Sequence, residues 1–143
     1  MKADLGCGHN KKPGFVGVDI RPDLKPDIVH DLTQSIPFEP DSLDEVYSSH
    51  FVEHIPADRV KGLMDGIAVA CMNGAKVEIK VPLNFEDPAH LQILGYDWIA
   101  ELVRMVSETM VLMAYQVDLI RTTSWDGKLF SYEQATAVFK VKK

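Results

Sequence analysis

The segment Ala3-Asp4-Leu5-Gly6-Cys7-Gly8 stands near the start of the chain, and Phe15-Val16-Gly17-Val18-Asp19-Ile20 follows after a break at Pro13-Gly14. The first run predicts a short strand that ends in a glycine turn, and the second predicts an apolar strand that carries Asp19 near its end. Glycines in such a turn let a ligand approach the backbone, and an acid at the end of the next strand can accept hydrogen bonds from two ribose hydroxyls. Together the two runs predict a site for a ribose-containing ligand.

The rest of the chain alternates strands with helices. Strands are predicted at 27–31, 43–48 and 75–81, a helical turn at 50–54, and helices at 57–72 and 97–114. Strands at 117–123 and 135–141, separated by Trp125-Asp126-Gly127-Lys128, predict a closing antiparallel pair. This order predicts a single α/β domain over residues 1–143, with a mostly parallel sheet, one antiparallel strand and few helices.

Composition narrows the class of protein. The 143 residues are 46% hydrophobic and carry a net charge of -6, which argues against nucleic acid as the partner. No apolar run approaches the roughly 18 residues of a membrane helix, and the first residues lack the apolar stretch of a signal peptide. Cys7 and Cys71 form no ligand-spaced cluster, so we expect no structural metal and a reduced, cytoplasmic setting.

The glycine turn differs from a dinucleotide-binding fingerprint. That fingerprint has a third glycine opening a helix and an acid about 20 residues further on. Here Lys11 occupies the third position and Asp19 comes too early. A pyrophosphate site is therefore disfavoured.

An ordered set of short motifs between about residues 3 and 82 carries a family resemblance. They are Asp4-Leu5-Gly6-Cys7-Gly8, Gly17-Val18-Asp19-Ile20, Asp31-Leu32, Ile36-Pro37-Phe38, Leu43-Asp44-Glu45-Val46 and Glu53-His54-Ile55. In this order the motifs resemble the class I S-adenosylmethionine-dependent methyltransferases. The resemblance implies a Rossmann-like methyltransferase sheet, S-adenosylmethionine as cofactor and S-adenosylhomocysteine as product.

The same resemblance implies roles for individual residues. Gly6 and Gly8 would pack against the methionine end of the cofactor, and Asp19 would hold the ribose diol. Asp31 would accept a hydrogen bond from the adenine amino group, and the amide of Leu32 would donate to the adenine ring. The predicted cofactor-binding set is completed by Asp4, Cys7, Ile20, Ser48 and His50, the last two bordering the sulfonium.

Two departures from the family pattern lead to an expectation about assembly. The first strand begins almost at residue 2, where the family usually has a preceding helix, and the connection from Gly8 to Asp19 is short. We expect one side of the sheet to expose apolar surface, to which a helix over 97–114 would add. A homodimer would cover such a surface.

The segment after the predicted fifth strand supplies the candidate catalytic residues, because open α/β sheets bind ligands at the carboxyl ends of their strands. Asp87 and His90 are the predicted general bases, and the alternative is that Asp87 caps a turn while His90 packs locally. The reaction would be direct displacement at the sulfonium methyl. The favoured acceptor is an oxygen or nitrogen of a small molecule, followed by a protein side chain, because 48–51 lacks the Pro-Pro-aromatic signature of amino-directed nucleic-acid enzymes.

Two other classes of function stay open. The short N-terminus is compatible with a binding or interaction domain that keeps the fold and the ligand but performs no methyl transfer. His50-Phe51-Val52-Glu53-His54 also fits the His-x-x-Glu-His pattern of one group of zinc peptidases. A zinc site would need a third ligand, such as Glu78, Glu86 or Glu101.

Overall fold

The computed structural model describes residues 1–85, 87 and 90–143, which form seven β-strands and two α-helices. In chain order these elements are β1 (Lys2–Leu5), β2 (Val16–Asp19), β3 (Ile28–Val29), β4 (Leu43–Ser49), α1 (Val60–Ala70), β5 (Cys71–Leu83), α2 (Trp98–Met105), β6 (Met110–Thr123) and β7 (Leu129–Val141). Single turns of 3-10 helix lie at Pro22–Leu24, Val52–His54 and Ala57–Arg59.

The strands form one sheet in the order β3-β2-β1-β4-β5-β7-β6. All neighbouring pairs from β3 to β5 are parallel, whereas β7 runs antiparallel to both β5 and β6. The predicted mostly parallel sheet with one antiparallel strand is therefore confirmed. The order reverses between β1 and β4, and this is where open α/β sheets have their ligand crevice.

The two faces of the sheet differ sharply in polarity. One row of register neighbours across β1, β4, β5 and β7 is completely buried and consists of Ala3, Val46, Val77 and Phe139. The adjacent row across the same strands points to the opposite face and consists of Lys2, Glu45, Lys76 and Lys140. Because successive side chains alternate between faces, the apolar core lies on one side of the sheet only.

Both helices pack on the apolar face. Helix α1 buries Leu63, Met64 and Ile67, which recur at helical spacing, and α2 buries Trp98 and Leu102 in the same cluster. Full burial of an aliphatic side chain of this size contributes about 1.5–3 kcal/mol to folding. The helix predicted over 57–72 is thus confirmed over 60–70. Its first turn is a 3-10 helix, and Cys71 and Met72 belong to β5 instead.

The prediction of a helix over 97–114 is wrong for the second half of that range. Helix α2 ends at Met105, and Met110 and Met113 lie in β6 instead. A turn separates the two elements, in which the amide of Met110 donates to the carbonyl of Ser107. Met110 then pairs with Val141 of β7, so long-range strand pairing overrides the helix-like spacing of the methionines.

The strands of the C-terminal half are longer than their sequence patterns predict. Strand β5 continues through Pro82 because its pairing with β4 ends at Lys80, and beyond that point it pairs with β7 alone. A residue without an N–H is tolerated where a strand has one neighbour. The predicted strands over 117–123 and 135–141 extend to 110–123 and 129–141 in the structure.

The expectation that one side of the sheet exposes apolar surface is also wrong. The face opposite the helices carries an ion pair of 3.1 Å between Lys2 Nζ and Glu45, and Lys76 Nζ lies 3.8 Å from the same carboxylate. Lys12 Nζ lies 4.2 Å from the centre of the Tyr47 ring. Charged and aromatic side chains make this face compatible with water, so it gives no physical reason for a second chain to cover it.

Candidate functional site

A cavity of about 400 Å³ lies at the carboxyl ends of β1, β2 and β4. It is lined by residues of the glycine turn, of the segments after β2 and β3, and of the helical turn after β4: Gly6, Gly8, His9, Asp19, Ile20, Arg21, Leu24, His30, Asp31, Leu32, Thr33, His50, Phe51, His54 and Ile55. Its position matches the ligand crevice of open α/β sheets, and its volume suits a small organic ligand.

The glycine turn is held in place by backbone hydrogen bonds and by one buried carboxylate. The amides of Gly6 and Cys7 both donate to the carbonyl of Val18, at 2.9 and 3.1 Å. Asp4 Oδ2 accepts from the amide of Lys12 at 2.8 Å, and burial raises the pKa of Asp4. These contacts fix the turn against β2 before any ligand binds.

Gly6 is required at its position for two reasons. Its backbone has φ of 72°, a left-handed conformation that side chains disfavour. A Cβ atom there would also overlap the ring of Phe51. The turn and the segment after β4 are therefore in direct contact, and together they form one wall of the cavity.

Asp19 links the glycine turn to β2. Its Oδ2 accepts from the amide of Gly8 and its Oδ1 accepts from the amide of Arg21, both at 3.0 Å. A carboxylate offers about four lone-pair sites, so each oxygen keeps capacity for another donor. Asp19 is thus oriented by the backbone and still able to accept two hydrogen bonds from the cavity.

Asp31, which follows β3, is oriented in a similar way at the cavity wall. Its Oδ1 accepts from the amide of Thr33 at 2.9 Å and from the Thr33 hydroxyl at 2.6 Å. These hydrogen bonds, the side-chain one foremost, lower the pKa of Asp31. The carboxylate is therefore ionised at neutral pH and acts as an acceptor.

The structure brings most of the predicted cofactor-binding residues to the cavity. Those that line it are Gly6, Gly8, Asp19, Ile20, Asp31, Leu32 and His50. Asp4, Cys7 and Ser48 are buried and are not among the lining residues. Burial raises the pKa of the Cys7 thiol to about 11, so this side chain is a neutral packing group.

The predicted general bases lie elsewhere. Asp87 is exposed and His90 is half-buried, and neither is among the residues that line the cavity. The His90 ring centre lies 4.7 Å from that of His54, which does line the cavity. Glu86, Pro88 and Ala89, in the same predicted segment, lie outside the described residues.

His50 is held by the antiparallel strand β7. Its Nε2 lies 2.7 Å from Oε1 of Gln134, and the hydroxyl of Tyr132 lies 3.5 Å from the same nitrogen. The backbone of His50 has φ of 54°, and its amide donates to the carbonyl of Lys80 at 2.9 Å. Burial is the main cause of the lowered pKa of His50.

Glu53 lies in the 3-10 turn that follows His50, and its side chain points into the protein. It is 1% exposed, neither carboxyl oxygen has a hydrogen-bond partner among the described residues, and burial raises its pKa to about 8. Glu53 is therefore a neutral acid at pH 7. Residues 50–54 fit a zinc-binding pattern in the sequence. The described residues, which exclude Glu86, contain no group of three potential ligands placed to hold a metal ion.

Several lining residues are not predicted from the sequence. Arg21 and Thr33 each lie two residues beyond a predicted acid, and Phe51, His54 and Ile55 belong to the segment after β4. Their position directly after the carboxyl ends of strands is the feature of the sequence that could predict them as lining residues. Gln134 and Tyr132 had no such signal, because only the register of β7 brings them to His50.

The described residues form no helix with the length and apolarity needed to cross a membrane. No family model and no curated protein sequence matches the chain. Its similarity to known proteins is found in solved structures.

Three of these structures illustrate the similarity. A S-adenosylmethionine-dependent methyltransferase from Archaeoglobus fulgidus is 17% identical with a TM-score of 0.71, over 97% of this chain and 85% of its own. One from Methanosarcina mazei is 13% identical with a TM-score of 0.72, over 99% and 92%. A phosphoethanolamine N-methyltransferase from Haemonchus contortus, in complex with phosphomonomethylethanolamine and S-adenosylhomocysteine, is 13% identical with a TM-score of 0.65, over 99% of this chain and 48% of its own. The chain therefore has the fold of the S-adenosylmethionine-dependent methyltransferases.

Proposed function

We propose that the protein is a methyltransferase that binds S-adenosylmethionine in the cavity at the carboxyl ends of β1, β2 and β4. The observation that carries the proposal is the placement of Asp19. On a methyltransferase fold, its carboxylate is held by two backbone amides at the cavity wall and keeps acceptor capacity for two hydroxyls.

The residues present fit this cofactor. Gly6 and Gly8 place backbone without side chains at the cavity, where the methionine end would lie. Asp19 would hold the ribose diol, and Asp31 and Leu32 would face the adenine. The cofactor carries a net positive charge at its sulfonium end and no phosphate, so a site with two acidic side chains suits it better than a nucleotide.

When bound, S-adenosylmethionine supplies an electrophilic methyl group: the lone pair of the acceptor bonds to the methyl carbon, the carbon–sulfur bond breaks, and its electron pair stays on sulfur. The protein's main contribution is to align the acceptor with that methyl group. Alignment of this kind supplies roughly 7–11 kcal/mol of rate acceleration in well-oriented systems.

The favoured acceptor is an oxygen or nitrogen atom of a small molecule, with a protein side chain second. Support for a small acceptor comes from the small amine bound in one of the structurally similar proteins. The net charge of -6 disfavours nucleic acid. We place the protein in the cytoplasm, since Cys7 and Cys71 are both buried free thiols.

We also propose a homodimer, which would form through a different surface from the sheet face that the sequence analysis considers. Strand β6 has no further strand beside it in the described sheet, and Met113 and Leu119 on it are more than half exposed. Unpaired strand edges with apolar side chains are common sites of chain association. Light scattering at micromolar concentration checks this, and the mass of a single chain would contradict it.

Calorimetric titration tests the function. S-adenosylmethionine and S-adenosylhomocysteine are expected to bind with 1:1 stoichiometry, while ATP and NAD bind much more weakly. Equal affinity for NAD would contradict the cofactor assignment. Binding without release of S-adenosylhomocysteine in the presence of oxygen, nitrogen and sulfur acceptors would favour the non-catalytic binding domain instead.

A further inference from the structure

We propose that His50 is the general base that receives the proton of the methyl acceptor, and that Gln134 is the positioning residue that fixes the imidazole for this task. The proposal rests on the proposed methyltransferase function and replaces Asp87 and His90 as the groups that would move this proton.

The position of His50 is the first argument. It follows β4 directly, lines the cavity, and neighbours Phe51, whose ring contacts Gly6 of the glycine turn. Its left-handed backbone, with φ of 54°, is costly for a residue with a side chain. Such conformations are concentrated at functional sites, where the surrounding structure maintains them. Here the hydrogen bond from the His50 amide to Lys80 does so.

The hydrogen bond to Gln134 determines which nitrogen of the ring is basic. Oε1 of Gln134 is an acceptor, so Nε2 of His50 carries the hydrogen and donates it over 2.7 Å. The lone pair of the neutral ring is then on Nδ1. Gln134 lies on β7, whose register with β5 pairs it with Pro82, so the orientation of His50 is built into the sheet.

The surroundings of His50 keep it neutral. Burial lowers its pKa, and the neighbouring His90, His54 and Lys80 lower it further, while the bond to Gln134 acts in the opposite direction. Of the remaining titratable groups on this side, Glu53 is a neutral buried acid at pH 7 and Tyr132 has a raised pKa, mainly from burial. No carboxylate among these groups stabilises an imidazolium in the resting protein, and a neutral imidazole is the form that accepts a proton.

The other candidates are less well placed. Asp87, His90 and Glu53 are not among the lining residues of the cavity. His54 does line it, but its side chain is exposed, whereas His50 is half-buried and held by Gln134.

The proton balance of the step is simple. As the acceptor O–H or N–H forms its bond to the methyl carbon, its proton passes to Nδ1 of His50, which becomes an imidazolium. The proton then leaves to solvent, and the neutral ring is restored for the next cycle. No other reactant is consumed.

The decisive experiment is nitrogen-15 NMR of the histidine side chains in the S-adenosylhomocysteine complex, with His50→Asn to assign the His50 signals. Asparagine is the matched replacement because it tolerates the left-handed backbone. At pH 7 the parent is expected to show His50 as the neutral Nε2–H tautomer. Gln134→Leu should lose this single tautomer, whereas Gln134→Glu should keep it and raise the pKa of His50; Gln116→Leu, on the exposed strand β6, is the control.

Turnover provides the second readout, with ethanolamine and catechol as protic acceptors. We expect His50→Asn to reduce transfer at least about 100-fold, the scale of general-base catalysis, when both proteins are compared at saturating S-adenosylmethionine. Gln134→Glu should move the acidic limb of the pH profile to higher pH. A protonated ring or an Nδ1–H tautomer at pH 7, or undiminished turnover by His50→Asn, would overturn the assignment of the base. Failure of the parent to bind S-adenosylhomocysteine would overturn the proposed function itself.

Discussion

Two sides of the cavity hold their acidic groups in opposite ways. On the side formed by β1 and β2, Asp19 accepts from two backbone amides and still faces the cavity. On the side formed by β4, Glu53 is fully buried, has no partner among the described residues and has a pKa raised to about 8. The first arrangement holds a hydrogen-bond acceptor ready for a ligand, whereas the second keeps a neutral acid in the turn that follows His50.

The difference shows which part of the site depends on local sequence and which depends on the whole sheet. The Asp19 side is organised by contacts within residues 4–21. The His50 side is organised by β7, more than 80 residues away in the chain. Substitutions on the two sides should therefore have different consequences for binding and for reaction.

The largest effect on ligand binding is expected from Asp19→Ala. Ligand at 100 times its dissociation constant stabilises a protein by about 2.7 kcal/mol, and the variant should lose most of the corresponding rise in melting temperature with S-adenosylmethionine. The reason is that two ribose hydroxyls lose their acceptor. Asp65→Ala, which removes only an exposed ion pair with Lys61, is the control. Equal ligand-induced shifts in all three proteins would refute the placement of the ribose.

Gly6→Ala compared with Gly8→Ala separates crowding from backbone strain. Both glycines have positive φ, but a Cβ at Gly6 would overlap Phe51 whereas the space around Gly8 is open. Strain alone costs on the order of 1–3 kcal/mol, so Gly8→Ala should lose that much and Gly6→Ala more. Urea unfolding measures both values. A Gly6 variant as stable as the Gly8 variant would mean that Phe51 moves away without cost.

The pH dependence of stability in Glu53→Gln tests whether Glu53 is a buried neutral acid. The unfolded chain ionises Glu53 near its ordinary pKa of 4.5, whereas the folded protein keeps the proton to about 8. Stability should therefore fall as pH rises between these values, by about 1.4 kcal/mol for each unit of separation. The variant should lose less stability than the parent between pH 5 and pH 8, and Glu101→Gln, at an exposed site on α2, should behave like the parent. Identical pH slopes for Glu53→Gln and the parent would contradict the buried neutral acid.

The smaller of the two effects on ligand binding is expected from Asp31→Ala. The proposed adenine contact is a single hydrogen bond to an ionised carboxylate, which is worth about 1.5–3 kcal/mol. Calorimetry should show S-adenosylhomocysteine binding weakened about tenfold or somewhat more, and less than in Asp19→Ala. The reverse order would indicate that the nucleoside lies the other way round in the cavity.

The sequence predicts the order of the elements and the sheet type because its signals are local: glycine turns, short apolar runs and the spacing of α1. The rule that ligands bind beyond the ends of strands also predicts that Gly6, Gly8, Asp19 and Asp31 lie at one cavity. The second half of the 97–114 helix is mispredicted because Met110 and Met113 have helical spacing but pair in a strand. The contact of His50 with Gln134 could not be predicted, since it depends on the register between β5 and β7.

The most direct test of the account is a crystal structure of the protein with S-adenosylhomocysteine. We predict that both ribose hydroxyls lie within hydrogen-bond distance of the Asp19 carboxylate, that the adenine lies between Asp31 and Leu32, and that the sulfur lies on the side of the cavity formed by Gly6 and His50. Ligand bound away from Asp19, or in another cavity, would contradict the central claim.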